Sequence, residues 1–320
     1  MRILLVKLSS MGDVVHNLPV VTDIRRAFPD AVIDWAVEPP FAPIVSLHPA
    51  IRRVFPVPLR ALKQRWWSPA RWGALLAARN ALAETPYDLI LDTQGLIKSA
   101  WIAKRARGPR AGYDAASARE PAAARHYTRT FCVSRDQHAV VRNRALAAAA
   151  VGYVADEIVD YGLTVAPQTD AARPYAVCLT ATSRADKQWP VEHWRAMLAR
   201  LRGAAINAVL PWGSENERAM CETIAAGFDH ATVPPRAPLN EVAQTLAGAR
   251  VVIGVDTGLA HLAVALSRPT VGIYVTTVPG LTGLFGRVDC INLGGGSRDA
   301  PAPPPVEAVW SAVAECIGSR

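Results

Sequence analysis

Short apolar runs alternate with longer stretches of helical periodicity along almost the whole chain, and this alternation constrains the fold more than any other feature. The runs are Ile3–Leu8, Val32–Val37, Leu89–Asp92, Tyr175–Leu179, Ala205–Leu210, Val251–Val255 and Thr270–Tyr274. The helical patterns are Val14–Ala27, Gly73–Glu84, Val140–Val151, Val191–Arg202, Ser214–Ala226, Leu239–Ala247 and Leu259–Leu266. Strands that alternate with helices build βαβ units and pair in parallel. The runs show little polar alternation, as expected when helices cover both faces of a sheet. A length of 320 residues accommodates two domains of roughly 150 residues. Val159–Arg173, with Pro167, Gln168, Thr169 and Asp170, reads as a link. The expected α/β architecture is therefore one Rossmann-like domain over residues 1–165 and a second over 166–320, their parallel sheets facing a central cleft. A Gly/Pro-rich connection, Gly294–Pro305, leads to a final helix over Val306–Ile317, which is expected to pack back on the first domain.

Apolar residues make up 51% of the chain and charged residues 19%, which suits buried cores and argues against global disorder. No apolar run reaches the ~18–20 residues of a membrane span. The opening run, Ile3–Val6, is too short for a signal-peptide core, so a cytoplasmic location is expected. Cys132, Cys178, Cys221, Cys290 and Cys316 are scattered, with no Cys-x-x-Cys pair; neither a disulfide framework nor a structural zinc site is expected. Charge divides the chain. Residues 1–150 carry 22 Lys and Arg against 11 Asp and Glu, a net of +11; residues 151–320 carry 13 against 16, a net of −3. The excess falls in residues 52–144, with 18 positive and 6 negative side chains. A basic N-terminal half suits an anionic partner: nucleic acid, a membrane surface or a phosphorylated substrate.

Several strand ends carry chemistry. Ile3–Leu8 runs into Ser9-Ser10-Met11-Gly12-Asp13 and then a helix. In an open α/β sheet such a turn faces the ligand crevice. Asp13 reads equally as a helix N-cap and as a carboxylate at the mouth of a site, and the two roles are compatible. Val251–Val255 runs into Asp256-Thr257-Gly258, with His261 in the first turn of the next helix. The N–H groups and dipole of that helix suit a diphosphate. Asp256 can accept from sugar hydroxyls and Thr257 can donate to phosphate, while His261 is either a satisfied core histidine or part of the site. A single Asp-Thr-Gly that opens a helix excludes an aspartic protease, which needs two copies on β-rich lobes. Thr180–Pro190, with Thr182, Ser183, Arg184 and Lys187, offers hydroxyls and cations after a strand; Leu210-Pro211-Trp212-Gly213 leads likewise to Glu217. The sequence has no Asp-x-Asp pair, His-Glu-x-x-His, P-loop or Gly-x-Gly-x-x-Gly. A diphosphate here is expected to be neutralised by Lys187, a helix terminus and hydroxyls, with no obligatory metal and no other cofactor.

Together these residues resemble a known family. Lys7-Leu8-Ser9-Ser10-Met11-Gly12-Asp13-Val14-Val15-His16-Asn17-Leu18-Pro19 is similar to the opening of the ADP-heptose:lipopolysaccharide heptosyltransferases (glycosyltransferase family 9), their type I branch above all. The likeness continues through Leu91–Ala100, Asp186–Trp194, Leu210–Gly213 and Val255–Leu262. The resemblance implies a GT-B fold and inverting transfer of heptose from ADP-L-glycero-β-D-manno-heptose to Kdo₂-lipid A. It implies Asp13 as general base, and Thr182, Ser183, Lys187, Glu217, Asp256, Thr257, Gly258 and His261 as donor-binding residues. Ser10, Gly12, Arg60, Lys63, Gln94, Lys98 and Arg119 are then expected on the acceptor side, where the basic excess fits Kdo carboxylates and lipid A phosphates. Arg60 and Lys63 lie close to Trp66 and Trp67, a composition suited to a headgroup interface, so peripheral contact with the inner leaflet of the inner membrane is expected. Three other readings use the same features. A sister heptosyltransferase would act on a later core heptose. A bilobal periplasmic-type binding protein would need an export signal. A nucleic-acid binder would need a recognised motif, and none accompanies the basic half.

Overall fold

The computed structural model describes residues 1–60, 69–167, 174–182, 184–286 and 289–318. Lys63, Trp66, Trp67, Ser183 and the 168–173 part of the expected link lie outside the described residues. The chain divides into two units, Met1–Leu163 and Thr164–Arg320.

In the first unit β1 (Arg2–Val6), β2 (Val32–Val37), β3 (Ile51–Pro56), β4 (Leu89–Asp92), β5 (Arg110–Tyr113) and β6 (Arg129–Phe131) form a parallel sheet in the order β3-β2-β1-β4-β5-β6. In the second, β7 (Tyr175–Leu179), β8 (Asn207–Val209), β9 (Ala231–Thr232), β10 (Val251–Val255), β11 (Thr270–Tyr274) and β12 (Cys290–Gly294) follow the same winding, ordered β12-β11-β10-β7-β8-β9. Each sheet is doubly wound, and its direction of winding reverses between the first and fourth strands. Ligands of such sheets sit outside the carboxyl ends at that reversal, between β1 and β4 in one unit and between β7 and β10 in the other.

Most inner strands are the apolar runs legible in the sequence, because both faces are covered: β4, β7, β10 and β11 are buried at every residue, whereas the inner β5, with Arg110 and Gly112, shows no such run. The strands that periodicity misses are mostly outer ones. β3 exposes Arg52 and Arg53, β6 is three residues long and β9 two, and β12 alternates half-buried with exposed positions. A partly covered strand needs no continuous apolar run, so it leaves no such signal.

The helices follow the expected pattern with one correction. Val14–Ala27 reads as one helix but forms two, α1 (Met11–Val15) and α2 (Leu18–Ala27), with Pro19 in the first turn of the second. Proline has no N–H to continue a preceding helix, yet fits a first turn. Then come α3 (Ala42–Val45), α4 (Pro69–Glu84), α5 (Ile97–Ala103), α6 (Ala139–Val151), α7 (Val191–Gly203), α8 (Glu215–Ala225), α9 (Leu239–Gly248), α10 (Gly258–Ala265) and α11 (Val306–Gly318). One face of α11 packs within the second unit. Its Val309, Ala312, Val313 and Cys316 are buried in the core of the second unit, with Val251, Ile253, Val271 and Ile273. That stripe recurs at i, i+3, i+4 and i+7, one apolar helix face that the second sheet covers.

Candidate functional site

The first unit brings Ser10, Gly12, Asp13, Gln94 and Lys98 to the turns at the β1/β4 reversal. Ser10 caps α1, and Asp13 is its third helical residue. Asp13 accepts hydrogen bonds from the Ser10 N–H and the Ser10 hydroxyl, each at 2.9 Å and both at Oδ2. Asp13 is therefore the far partner of a capping box rather than the cap itself, and both bonds use one carboxylate oxygen. The turn after β4 is tied to the turn after β1. Gln94 Oε1 accepts from the Leu8 N–H at 2.6 Å, and Lys98 Nζ donates to Ser9 Oγ at 3.1 Å. The Gln94 carbonyl is thus committed to holding backbone. Gly12 lies in α1, and its carbonyl accepts from the His16 N–H. Arg60 is half exposed, its Nε 3.7 Å from Glu38 Oε2. Arg119 is exposed after β5, and with Arg142 it opposes the charge of Lys7.

Three buried ionisable groups at this end of the sheet have no role in the motif reading, although Lys7 and Asp92 lie within its motifs. Lys7 donates from Nζ to the Thr93 carbonyl at 2.8 Å and to Asn143 Oδ1 at 3.4 Å. Burial holds its pKa below the usual lysine range, while Asp13 and Asp92 act in the opposite direction. Asp92 is fully buried; Oδ1 accepts from the Gln94 N–H at 2.8 Å and Oδ2 from the Tyr127 hydroxyl at 2.7 Å. Burial raises its pKa against these bonds. Glu38, the residue after β2, is 1% exposed. Burial raises its carboxyl above the usual range, against the charges of Arg60 and Lys98. Their shared signal was position, since each stands at or just beyond a strand's carboxyl end.

The second unit gathers Thr182, Lys187 and Asp256 at the β7/β10 reversal. Lys187 Nζ meets Asp256 Oδ2 at 2.6 Å, Thr277 Oγ1 donates to the same oxygen at 2.9 Å, and Thr182 Oγ1 donates to the Asp256 carbonyl at 3.1 Å. Thr257 caps α10, Gly258 is its first residue, and His261 is buried in its first turn. The first N–H groups of a helix lack intrahelical partners, so this terminus and Lys187 share one strand-end region. Glu217 has a different local task. Its Oε2 accepts from the N–H groups of Gly213 at 2.7 Å and Ser214 at 3.2 Å, which closes a capping box on α8 one strand further out. Among the described residues, no hydrogen bond links it to the Asp256 group. Thr277, after β11, is the residue that the motif reading overlooks here. Among the described residues, no three His, Cys, Asp or Glu side chains are placed to hold a metal ion.

The model of glycosyltransferase family 9 (heptosyltransferase) matches residues 75–300. The chain belongs to that family. Lipopolysaccharide heptosyltransferase 1 of Pseudomonas aeruginosa is 45% identical over 308 residues, covering 95% of this chain and 86% of the relative. Two solved structures resemble it along their length. "E. coli heptosyltransferase WaaC with ADP" superposes with a TM-score of 0.91 at 40% identity, covering 99% of this chain and all of the other. "E. coli heptosyltransferase WaaC with ADP-2-deoxy-2-fluoro heptose" gives 0.89 at 40% identity, with 98% and 99% covered. The two Rossmann-like units of this family 9 chain are the GT-B fold expected from its motifs. Both strand-end clusters, one at each reversal of winding, are built from the family-like motifs, whereas Glu38 and Thr277 lie outside them.

Proposed function

We propose that the protein is an inverting heptosyltransferase that moves L-glycero-D-manno-heptose from ADP-heptose to a Kdo hydroxyl of Kdo₂-lipid A, a step of lipopolysaccharide inner-core synthesis. The observation that carries the reading is the Asp13 carboxylate, anchored through Oδ2 alone at the reversal of the first sheet. An anchored carboxylate with its other oxygen outside the box is a general base held in a fixed place. Asp13 takes the proton of the acceptor hydroxyl as that oxygen bonds to the anomeric carbon. The bond from that carbon to the diphosphate oxygen breaks on the opposite face, so the configuration inverts. The departing diphosphate gains charge beside Lys187 and the α10 N-terminus, where that charge is stabilised. Thr182, Ser183, Thr257 and Gly258 hold phosphate and ribose, Asp256 and His261 face the heptose, and Glu217 takes a nucleoside hydroxyl with the carboxylate oxygen outside its capping box. Ser10, Gly12, Arg60, Lys63, Gln94, Lys98 and Arg119 form the acceptor side.

The acceptor's acyl chains lie in a bilayer, and no described helix is long and apolar enough to cross one. The proposal therefore places the protein in the cytoplasm, bound peripherally to the inner membrane through Arg60, Lys63, Trp66 and Trp67. Replacing all four by alanine is expected to reduce binding to anionic vesicles at low salt; unchanged binding would remove that role. The reaction itself is tested by incubating the protein with ADP-heptose and Kdo₂-lipid A, with Kdo-free lipid A as control. Heptose transfer only to the Kdo-bearing lipid is expected. Transfer only to a heptosylated core would assign the later step instead.

A further inference from the structure

Glu38 is a carboxylate placed among cations that are otherwise suited to an anionic acceptor. Its N–H donates to the Leu8 carbonyl at 3.0 Å, which sets it level with the turn that leads to Asp13. Its side chain is 1% exposed, and Oε1 has no hydrogen-bond partner. Oε2 lies 3.7 Å from the Arg60 Nε, the Arg60 backbone N–H also donates to the carboxylate, and the Arg60 side chain is 52% exposed. Lys98, the other cation that acts on Glu38, is engaged with Ser9 Oγ. A buried carboxylate oxygen left without a partner keeps its desolvation cost uncompensated. That cost is recovered when a ligand donor reaches it.

We propose that Glu38 is a specificity-determining residue of the acceptor side, with Oε1 accepting a hydroxyl of an acidic sugar whose carboxylate recruits Arg60. The inference rests on the reading above that the acceptor is such a sugar. A patch of cations alone attracts any polyanion, phosphates included. A carboxylate in its midst repels phosphate oxygens, which bring no proton to donate, and rewards a ligand that carries both a carboxylate and hydroxyls. Arg60 covers Glu38 loosely enough to swing to that carboxylate, which exposes Oε1 to the neighbouring hydroxyl. Burial favours the neutral form of Glu38 in the free protein, and Arg60 and Lys98 oppose it. A hydroxyl donor adds to the stabilisation of the charged form.

Glu38→Gln and Glu38→Asp separate the two effects. Glu38→Gln, close in shape, is expected to raise KM for Kdo₂-lipid A at least ~10-fold, as loss of a hydrogen bond to a charged group does. KM for ADP-heptose should stay within twofold. The same variant should let Kdo-free lipid A, whose anionic groups are phosphates, compete roughly threefold or more better, because the repulsion is gone. Glu38→Asp keeps the charge but draws it back by one methylene, so KM should rise while phosphate competition stays at the wild-type level. A general loss of structure would not strengthen a competitor. If Glu38→Gln fails to fold, the KM rise and unchanged competition of Glu38→Asp still decide. An acceptor KM within twofold of wild type in a folded variant overturns the proposal, and so does unchanged competition in Glu38→Gln. Wild-type protein that makes no product from Kdo₂-lipid A would instead overturn the functional reading.

Discussion

Lys187 and Asp256 form an ion pair at 2.6 Å across the reversal of the second sheet, although 69 positions separate them in sequence. Their side chains are 16% and 18% exposed, so the pair is largely sheltered from water, and Thr277 donates to the same Asp256 oxygen. Each partner sets the charge that the other presents to a ligand. Lys187→Ala is expected to weaken ADP binding at least ~10-fold through loss of a charge-assisted contact. Asp256→Asn frees Lys187, so ADP should bind at least as tightly as to wild type while heptose transfer falls. Titration calorimetry with ADP separates the two variants; an unchanged ADP affinity in Lys187→Ala would remove that lysine from the donor site. Because the proposal assigns the diphosphate charge to Lys187 and the α10 terminus, turnover should persist in EDTA. A loss restored by Mg²⁺ or Mn²⁺ would assign the task to a metal.

Asp13 closes the capping box of α1 and is the proposed general base, and two substitutions divide those tasks. Asp13→Asn retains an oxygen to accept from the Ser10 N–H, so the variant should fold and bind ADP normally. Its turnover should fall at least ~10²-fold for want of a general base. Asp13→Ala should add a loss of about 0.5–2 kcal/mol in stability as the capping box opens. Thermal melts and single-turnover rates on both variants give the answer. Near-normal turnover by Asp13→Asn would leave Asp13 a capping residue alone.

His48 couples the stability of the first unit to pH. It is 4% exposed, accepts the Ala50 N–H at Nδ1 (3.2 Å), and pairs through Nε2 with Thr22 Oγ1 at 3.1 Å. Burial pushes its pKa from 6.5 down to about 4, against Asp160 and a backbone bond that favour the charged ring. The unfolded chain therefore takes up this proton first as pH falls, and stability rises with pH between those two values. The contribution is complete above pH 6.5 and is lost as pH drops towards 4, on the order of 3 kcal/mol. Urea midpoints at pH 4.5 and pH 7 should differ much less in His48→Asn, whose amide oxygen can replace Nδ1. An equal pH dependence in variant and wild type would rule out His48 as the source.

Asp23 on α2 and Arg144 on α6 form a buried pair at 2.6 Å, with side chains 3% and 7% exposed. Arg144 also donates to the carbonyls of Asp156 (2.7 Å) and Ile158 (3.2 Å), which fastens the end of the first unit to its helices. Asp23→Ala strands the guanidinium and should cost about 3–5 kcal/mol. ADP affinity of the folded fraction should be unchanged, since the proposed donor residues belong to the other unit. A shift in urea midpoint worth less than ~1 kcal/mol would mean that water replaces the carboxylate.

The sequence by itself determined most of the inner strands, the doubly wound α/β class and the turns that carry Asp13 and Asp256. These depend on neighbours along the chain: β10 is apolar throughout because both its faces are covered, and Asp13 meets Ser10 three positions away. Only the tertiary structure decided which strand ends adjoin. Nothing near Glu38 in sequence marks it apart from other acids that follow a strand; the pairing of β2 with β1 puts it beside Leu8. Nothing near Lys187 names Asp256, which reaches it because β10 lies against β7. Outer strands such as β3, with Arg52 and Arg53 exposed, likewise take their place from pairing rather than from pattern. Periodicity and capping are local properties that sequence neighbours impose, whereas the electrostatics of a site sum over segments that only the order of strands in the sheet brings together.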